Sequence, residues 1–160
     1  MGELAQKVIR DIEAARTNED IGDWIWMAGD LIRKADQADY PSGFEEIDRE
    51  TVTLEERQLL KEAALRALER NSDPLWVCSM LSVLRKTGDR DMKKLWIDSL
   101  ATHLSVLKMA NVNVFTALLA LSEIGEPVFE GVQSRCSIDI EQNVSEANEY
   151  LKLHGILILG

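Results

Sequence analysis

Leu4, Val8, Ile12 and Ala15 recur every three or four residues over 3–16, with polar residues between them. That spacing predicts an amphipathic helix. Ile21, Trp24, Ile25, Ala28, Leu31, Ile32 and Ala35 predict a second over 20–35. From 37 to 52 the period is lost and Tyr40-Pro41-Ser42-Gly43 intervenes, so a long loop is expected there. Loops of that length inside a compact domain are commonly functional. Thr53 and Glu56 match a capping box, in which each side chain satisfies the other residue's free backbone N–H. They open a third helix with Leu60, Ala63, Ala64, Ala67 and Leu68 inward, ending at Asn71-Ser72.

Asp73-Pro74 opens a fourth helix: aspartate caps, and proline at the first helical position gives up no needed N–H. Its run Leu75-Trp76-Val77-Cys78-Ser79-Met80-Leu81 is apolar nearly all round, which implies burial on several sides. Gly88 closes it as a left-handed cap. Asp89 begins a fifth, with Met92, Leu95, Trp96, Ser99, Leu100, His103 and Leu107 on one face. Asn111 or Asn113 caps a sixth, again apolar, which Gly125 closes. A short seventh is expected from Pro127, and an eighth over 140–153 is capped by Asp139 with Gln142 and ended by Gly155. The tail Ile156-Leu157-Ile158-Leu159-Gly160 is expected to pack back on the last helix, with a short strand as the alternative. Nothing else alternates as a strand would.

Aligning Gly88 with Gly125 places Leu81 on Leu118, Leu84 on Leu121 and Asp89 on Glu126. Amphipathic and apolar helices alternate at a period of about 37 residues, within the range of helical-hairpin repeats. The stretches Leu118–Phe129 and Leu81–Met92 thereby resemble HEAT-like repeats, over roughly 53–135. The resemblance implies an all-α fold of antiparallel hairpins stacked as a short α-solenoid, with a non-repeat helical bundle as the alternative. The expectation is one all-helical domain over 1–160, carrying an acidic loop at about 37–52.

Charge sharpens this picture. The net charge is −10, and residues 1–80 hold 18 acidic against 10 basic residues. Residues 36–56 alone hold eight acids and one arginine. An acidic balance argues against a nucleic-acid partner and favours a basic protein surface. No apolar run approaches the roughly 20 residues of a membrane span, and no secretory pattern opens the chain, so a cytoplasmic protein is expected. Cys78 and Cys136 are then expected as reduced, buried core thiols.

Candidate chemistry is sparse. His103 sits on an inner helical face and His154 in a last helical turn. No HExxH, CxxC, phosphate loop or nucleophile elbow is present, and Asp89-Arg90-Asp91 lacks the rest of a calcium loop. The paired acids Glu19-Asp20, Glu45-Glu46 and Glu55-Glu56 fall in loops or first turns, as solvated carboxylates do. No metal, cofactor or enzymatic activity is expected.

Trp26 stands about 200° around its helix from Trp24, so the two cannot share one core. It either packs under the 37–52 loop or stands exposed as an interface anchor. Small, acidic, all-helical chains of this kind resemble the immunity proteins of bacterial toxin systems, including contact-dependent inhibition. The resemblance implies a stoichiometric complex with a basic toxin domain, for example a nuclease. The expected contacts are Asp39, Glu45, Glu46, Asp48 and Glu50 for charge, and Trp26, Tyr40 and Phe44 as anchors. The alternative is a HEAT-like adaptor in a cytosolic assembly.

Overall fold

The computed structural model describes residues 2–104 and 111–156. They form helices α1 (Glu3–Ala14), α2 (Trp24–Asp36), α3 (Glu45–Asp48), α4 (Leu54–Leu68), α5 (Pro74–Arg85), α6 (Lys93–Leu104), α7 (Asn111–Glu123) and α8 (Ile140–Leu153). Short 3-10 turns lie at 18–20 and 90–92, and no strand occurs among the described residues. The protein is all-α. Leu107 and residues 157–160, for which a helical face and a packed tail were expected, lie outside the described residues.

The chain separates into two compact units, Met1–Thr87 and Gly88–Gly160. In the first, α1 and α2 pack on each other and both on α4, while α5 packs on α2 and α4. Val8, Ile12, Leu31, Ile32, Leu60, Trp76 and Met80 are fully buried there. Each such side chain stabilises by about 1.5–3 kcal/mol relative to exposure. The Trp76 indole N–H donates to the Ala67 carbonyl at 2.8 Å, fixing α5 against the end of α4. The last carbonyls of α1 are satisfied from a distant helix end. Arg70 donates to Ile12 O at 3.0 Å, Glu13 O at 3.0 Å and Ala15 O at 2.7 Å.

In the second unit α6 packs on α7, and α8 packs on both. Trp96, Leu100, Leu118, Leu121, Phe129 and Tyr150 fill its core. Glu126 ties three segments together. Its Oε1 accepts from the Tyr150 hydroxyl at 2.6 Å and lies 2.7 Å from Lys93 Nζ. The hydrogen bonds from Lys93 and then Tyr150 hold the Glu126 carboxyl below its ordinary pKa, and burial followed by the same bond raises that of Tyr150.

The caps expected at Thr53, Asp73 and Asp139 form, whereas Asn113 lies buried inside α7 and Asp89 makes no side-chain cap bond. Thr53 Oγ1 accepts from Glu56 N at 3.1 Å, and Glu56 Oε1 accepts from Thr53 N at 3.0 Å. Asp73 accepts from Leu75 N at 2.9 Å, and Asp139 from Gln142 N at 3.3 Å. Gly88 and Gly125 take φ of +62° and +89°, so both helix ends turn through the left-handed region. At Gly125 the turn is a Schellman motif, with Glu126 N donating to Leu121 O at 3.0 Å and Gly125 N to Ser122 O at 3.1 Å.

Four expectations are corrected. α2 begins at Trp24 and not near 20, because Asp20 Oδ2 accepts from Arg16 N at 2.8 Å and Thr17 N at 3.0 Å and stabilises a separate 3-10 turn. The 37–52 segment is not all loop: α3 forms within it around the fully buried Ile47. No helix starts at Pro127. Phe129 takes φ of +60° with its side chain buried, and its N–H donates to Glu146 at 3.0 Å. A helical turn tolerates no such backbone, so the segment to 139 runs as turns. Cys78 is only partly buried and Cys136 is exposed, which also departs from the expected core placement.

Candidate functional site

Within the first unit, the acidic stretch divides into carboxylates that hold structure and carboxylates that face solvent. Asp36 lies 2.7 Å from Arg57 Nε, and Arg57 also donates to Thr87 O at 2.7 Å. Glu56 is buried in the cap of α4, where its Oε2 also accepts from Gly2 N at 2.7 Å. Burial alone would raise its pKa, but the Thr53 and Gly2 N–H bonds outweigh that and hold it low. Glu50 belongs with this group: it is half-buried, and its Oε2 lies 3.0 Å from where a Cβ on Gly2 would stand. It faces the N-terminus of α1, where a carboxylate suits the helix dipole.

Asp39, Glu45, Glu46 and Asp48 are exposed. Buried Ile47 pins α3 inward, and helical spacing then turns its neighbours outward. Asp48 also organises the loop before it. Its Oδ1 accepts from Ser42 Oγ at 2.8 Å and Ser42 N at 3.1 Å, and these bonds lower its pKa. Lys34 donates to the Asp48 carbonyl at 3.0 Å. Glu45 pairs with Arg49 at 3.2 Å across a fully solvated helix turn, an interaction worth little.

Of the three expected aromatic anchors, one stands clear of the core. Trp26 is 63% exposed, which rules out its packing under the 37–52 segment. Tyr40 and Phe44 are half-buried. Trp26 lines a cleft of about 220 Å³ between α2 and α5, together with Ile25, Gly29, Asp30, Ser79, Ser82, Val83, Arg85 and Lys86. Tyr40 reaches the same place: its hydroxyl donates to Asp30 Oδ1 at 3.4 Å. The structure therefore joins Trp26 and Tyr40 through Asp30, and it groups Glu45, Glu46 and Asp48 on and beside α3. It does not join Glu50 to either.

The cleft residues other than Trp26 were not singled out from sequence. Asp30 lies four residues after Trp26, one turn further along the same side of α2, and Ser79 and Ser82 interrupt an otherwise apolar run. Those two signals could have marked the place. His103, half-buried on α6, has its pKa lowered by burial. Among the described residues no three His, Cys, Asp or Glu side chains gather as a metal-binding group. No helix among them is long and apolar enough to cross a membrane. No protein-family profile, curated protein or solved structure matches the chain.

Proposed function

We propose that the protein works by binding, as a cytoplasmic immunity protein that neutralises a basic toxin domain through a stoichiometric complex. One observation carries this reading. Asp39, Glu45, Glu46 and Asp48 are held out to solvent by a segment pinned through Ile47 and Ser42, in the same unit as the exposed Trp26. Fixed acids give a basic partner fast, oriented encounter, and an exposed indole gives a site for desolvated contact. If the partner is a nuclease, these carboxylates would occupy the surface that otherwise receives phosphates. Tyr40, Phe44 and Glu50, half-buried, would act at the edge of this surface and not at its centre.

The second reading is a HEAT-like adaptor. It is supported by the left-handed glycines Gly88 and Gly125, 37 residues apart, each closing an apolar helix that packs on the amphipathic helix before it. In that case the apolar helices α5 and α7 and their flanking turns would belong to successive stacked hairpins.

The test is capture from native lysate with the tagged full-length chain, washed at low and high salt, with partners identified by mass spectrometry. The immunity reading expects one basic partner in equal amount, toxic when expressed alone and harmless with this chain. Several housekeeping proteins, or none, would sink it and favour the adaptor.

A further inference from the structure

We propose that the cleft between α2 and α5 receives one apolar side chain, aromatic or branched, carried by the basic protein partner, and forms the desolvated centre of that contact. The pocket rests on the binding reading above and extends it, naming where the partner anchors and by what kind of residue. The charges of Arg85 and Lys86 have no part in it, since both line the cleft while engaged in interactions of their own.

The lining suits a single apolar group. Its apolar members are Ile25, Val83 and the indole of Trp26, and of these only the indole is widely exposed. An aromatic or branched side chain set against that face would cover surface that α2 leaves in water. Ser79 and Ser82 keep the α5 side of the cleft short. Their hydroxyls turn back onto that helix, donating to Leu75 O at 3.1 Å and Cys78 O at 2.8 Å. The oxygens keep acceptor lone pairs for an amide N–H that accompanies the side chain. The volume of about 220 Å³ is below the roughly 300–1,000 Å³ of small-molecule sites, so one side chain fits and a helix does not.

Charge selects what carries that side chain. The Tyr40 hydroxyl donates to Asp30 Oδ1 at 3.4 Å, so the cleft adjoins the segment that holds Asp39, Glu45, Glu46 and Asp48 out to solvent. A specific interface covers about 800 Å² on each partner, far more than one pocket, and would extend from the cleft onto these acids. A second copy of the chain, with net charge −10, would set like charges there. A basic protein sets opposite ones. A filled apolar pocket ringed by hydrated groups is how binding energy concentrates in an interface.

The test has two arms, both on the full-length chain. In the first, N-acetyl-phenylalaninamide, N-acetyl-leucinamide and N-acetyl-glycinamide are titrated against Trp26 fluorescence, since Trp24, Trp76 and Trp96 are buried. The first two should give a saturable change, and the glycine amide at least about tenfold weaker binding. In the second, Ser79→Phe and Ser82→Phe place a ring in the cleft without altering charge, and the rates of the complex with the captured basic partner are measured. Each should speed dissociation by about thirtyfold and leave the salt dependence of association unchanged. Where a filled variant fails to fold, the first arm still decides. No saturable change with the phenylalanine or leucine amide up to roughly 30 mM, or equal binding of the glycine amide, overturns the proposal. Folded variants with unchanged dissociation overturn it too: the cleft then lies outside the interface, and the acidic surface stands. Capture of no basic partner removes the binding reading and the occupant with it, so the two failures are told apart.

Discussion

Glu56 works through both carboxylate oxygens, one taking the Thr53 N–H and the other the Gly2 N–H. Glutamine at this place keeps a single acceptor oxygen and brings an amide donor against a backbone donor. Glu56→Gln should therefore destabilise the chain at neutral pH by about 1–3 kcal/mol, read by chemical denaturation. The pH dependence follows from the lowered folded pKa. The carboxylate's contribution is fully present above the ordinary glutamate value of about 4.3 and is lost as pH falls through the lower folded value. Wild type should lose stability in that acid window, and the variant should lose less of it. Half of this arrangement was legible in the sequence, because a capping box is local. The Gly2 bond was not, since it depends on where α1 begins in space, 54 residues away along the chain. The setting of Glu50 was hidden for the same reason: its Oε2 stands beside the N-terminus of α1, far from it in sequence.

Helix ends were the most readable elements, because glycine and proline act through backbone geometry that neighbours hardly alter. At Gly125, where φ is +89°, the space around a new Cβ is open, so Gly125→Ala tests the backbone alone. It should cost roughly 1–2 kcal/mol, the penalty of left-handed backbone for an L side chain, read as a lower denaturation midpoint with unchanged slope. Arg70 represents what sequence periodicity cannot show. It lies beyond the end of α4, yet it supplies donors to the C-terminal carbonyls of α1. Arg70→Ala should destabilise by about 1–2 kcal/mol and speed amide exchange chiefly in the last turn of α1, whereas Arg70→Lys should recover only part of it. The same limit explains α3 and the segment after Pro127. Four residues carry too little period to announce a helix, and one buried Ile47 decides it. Pro127 permits a helix start, but a buried Phe129 at positive φ forbids its continuation.

At the scale of the whole molecule, the proposed binding role would divide between different residues according to charge and burial. The displayed acids Asp39, Glu45, Glu46 and Asp48 stay hydrated, so their attraction extends no further than the Debye length, about 8 Å at physiological salt. Such charges act mainly on encounter, while a desolvated anchor acts mainly on how long a complex lasts. In the proposed complex Trp26, exposed over 63% of its surface on α2, would take that second task. Stopped-flow association of the full-length chain with its captured basic partner separates the two. Glu45→Lys with Glu46→Lys should slow association by about tenfold at low salt, with the difference shrinking as salt rises and dissociation little changed. Trp26→Ala should leave the salt dependence of association intact and speed dissociation by about thirtyfold, equivalent to the roughly 2 kcal/mol of a central anchor. If the acid reversals instead changed only dissociation, the carboxylates would be making desolvated contacts. If Trp26→Ala changed neither rate, the indole would lie outside the interface.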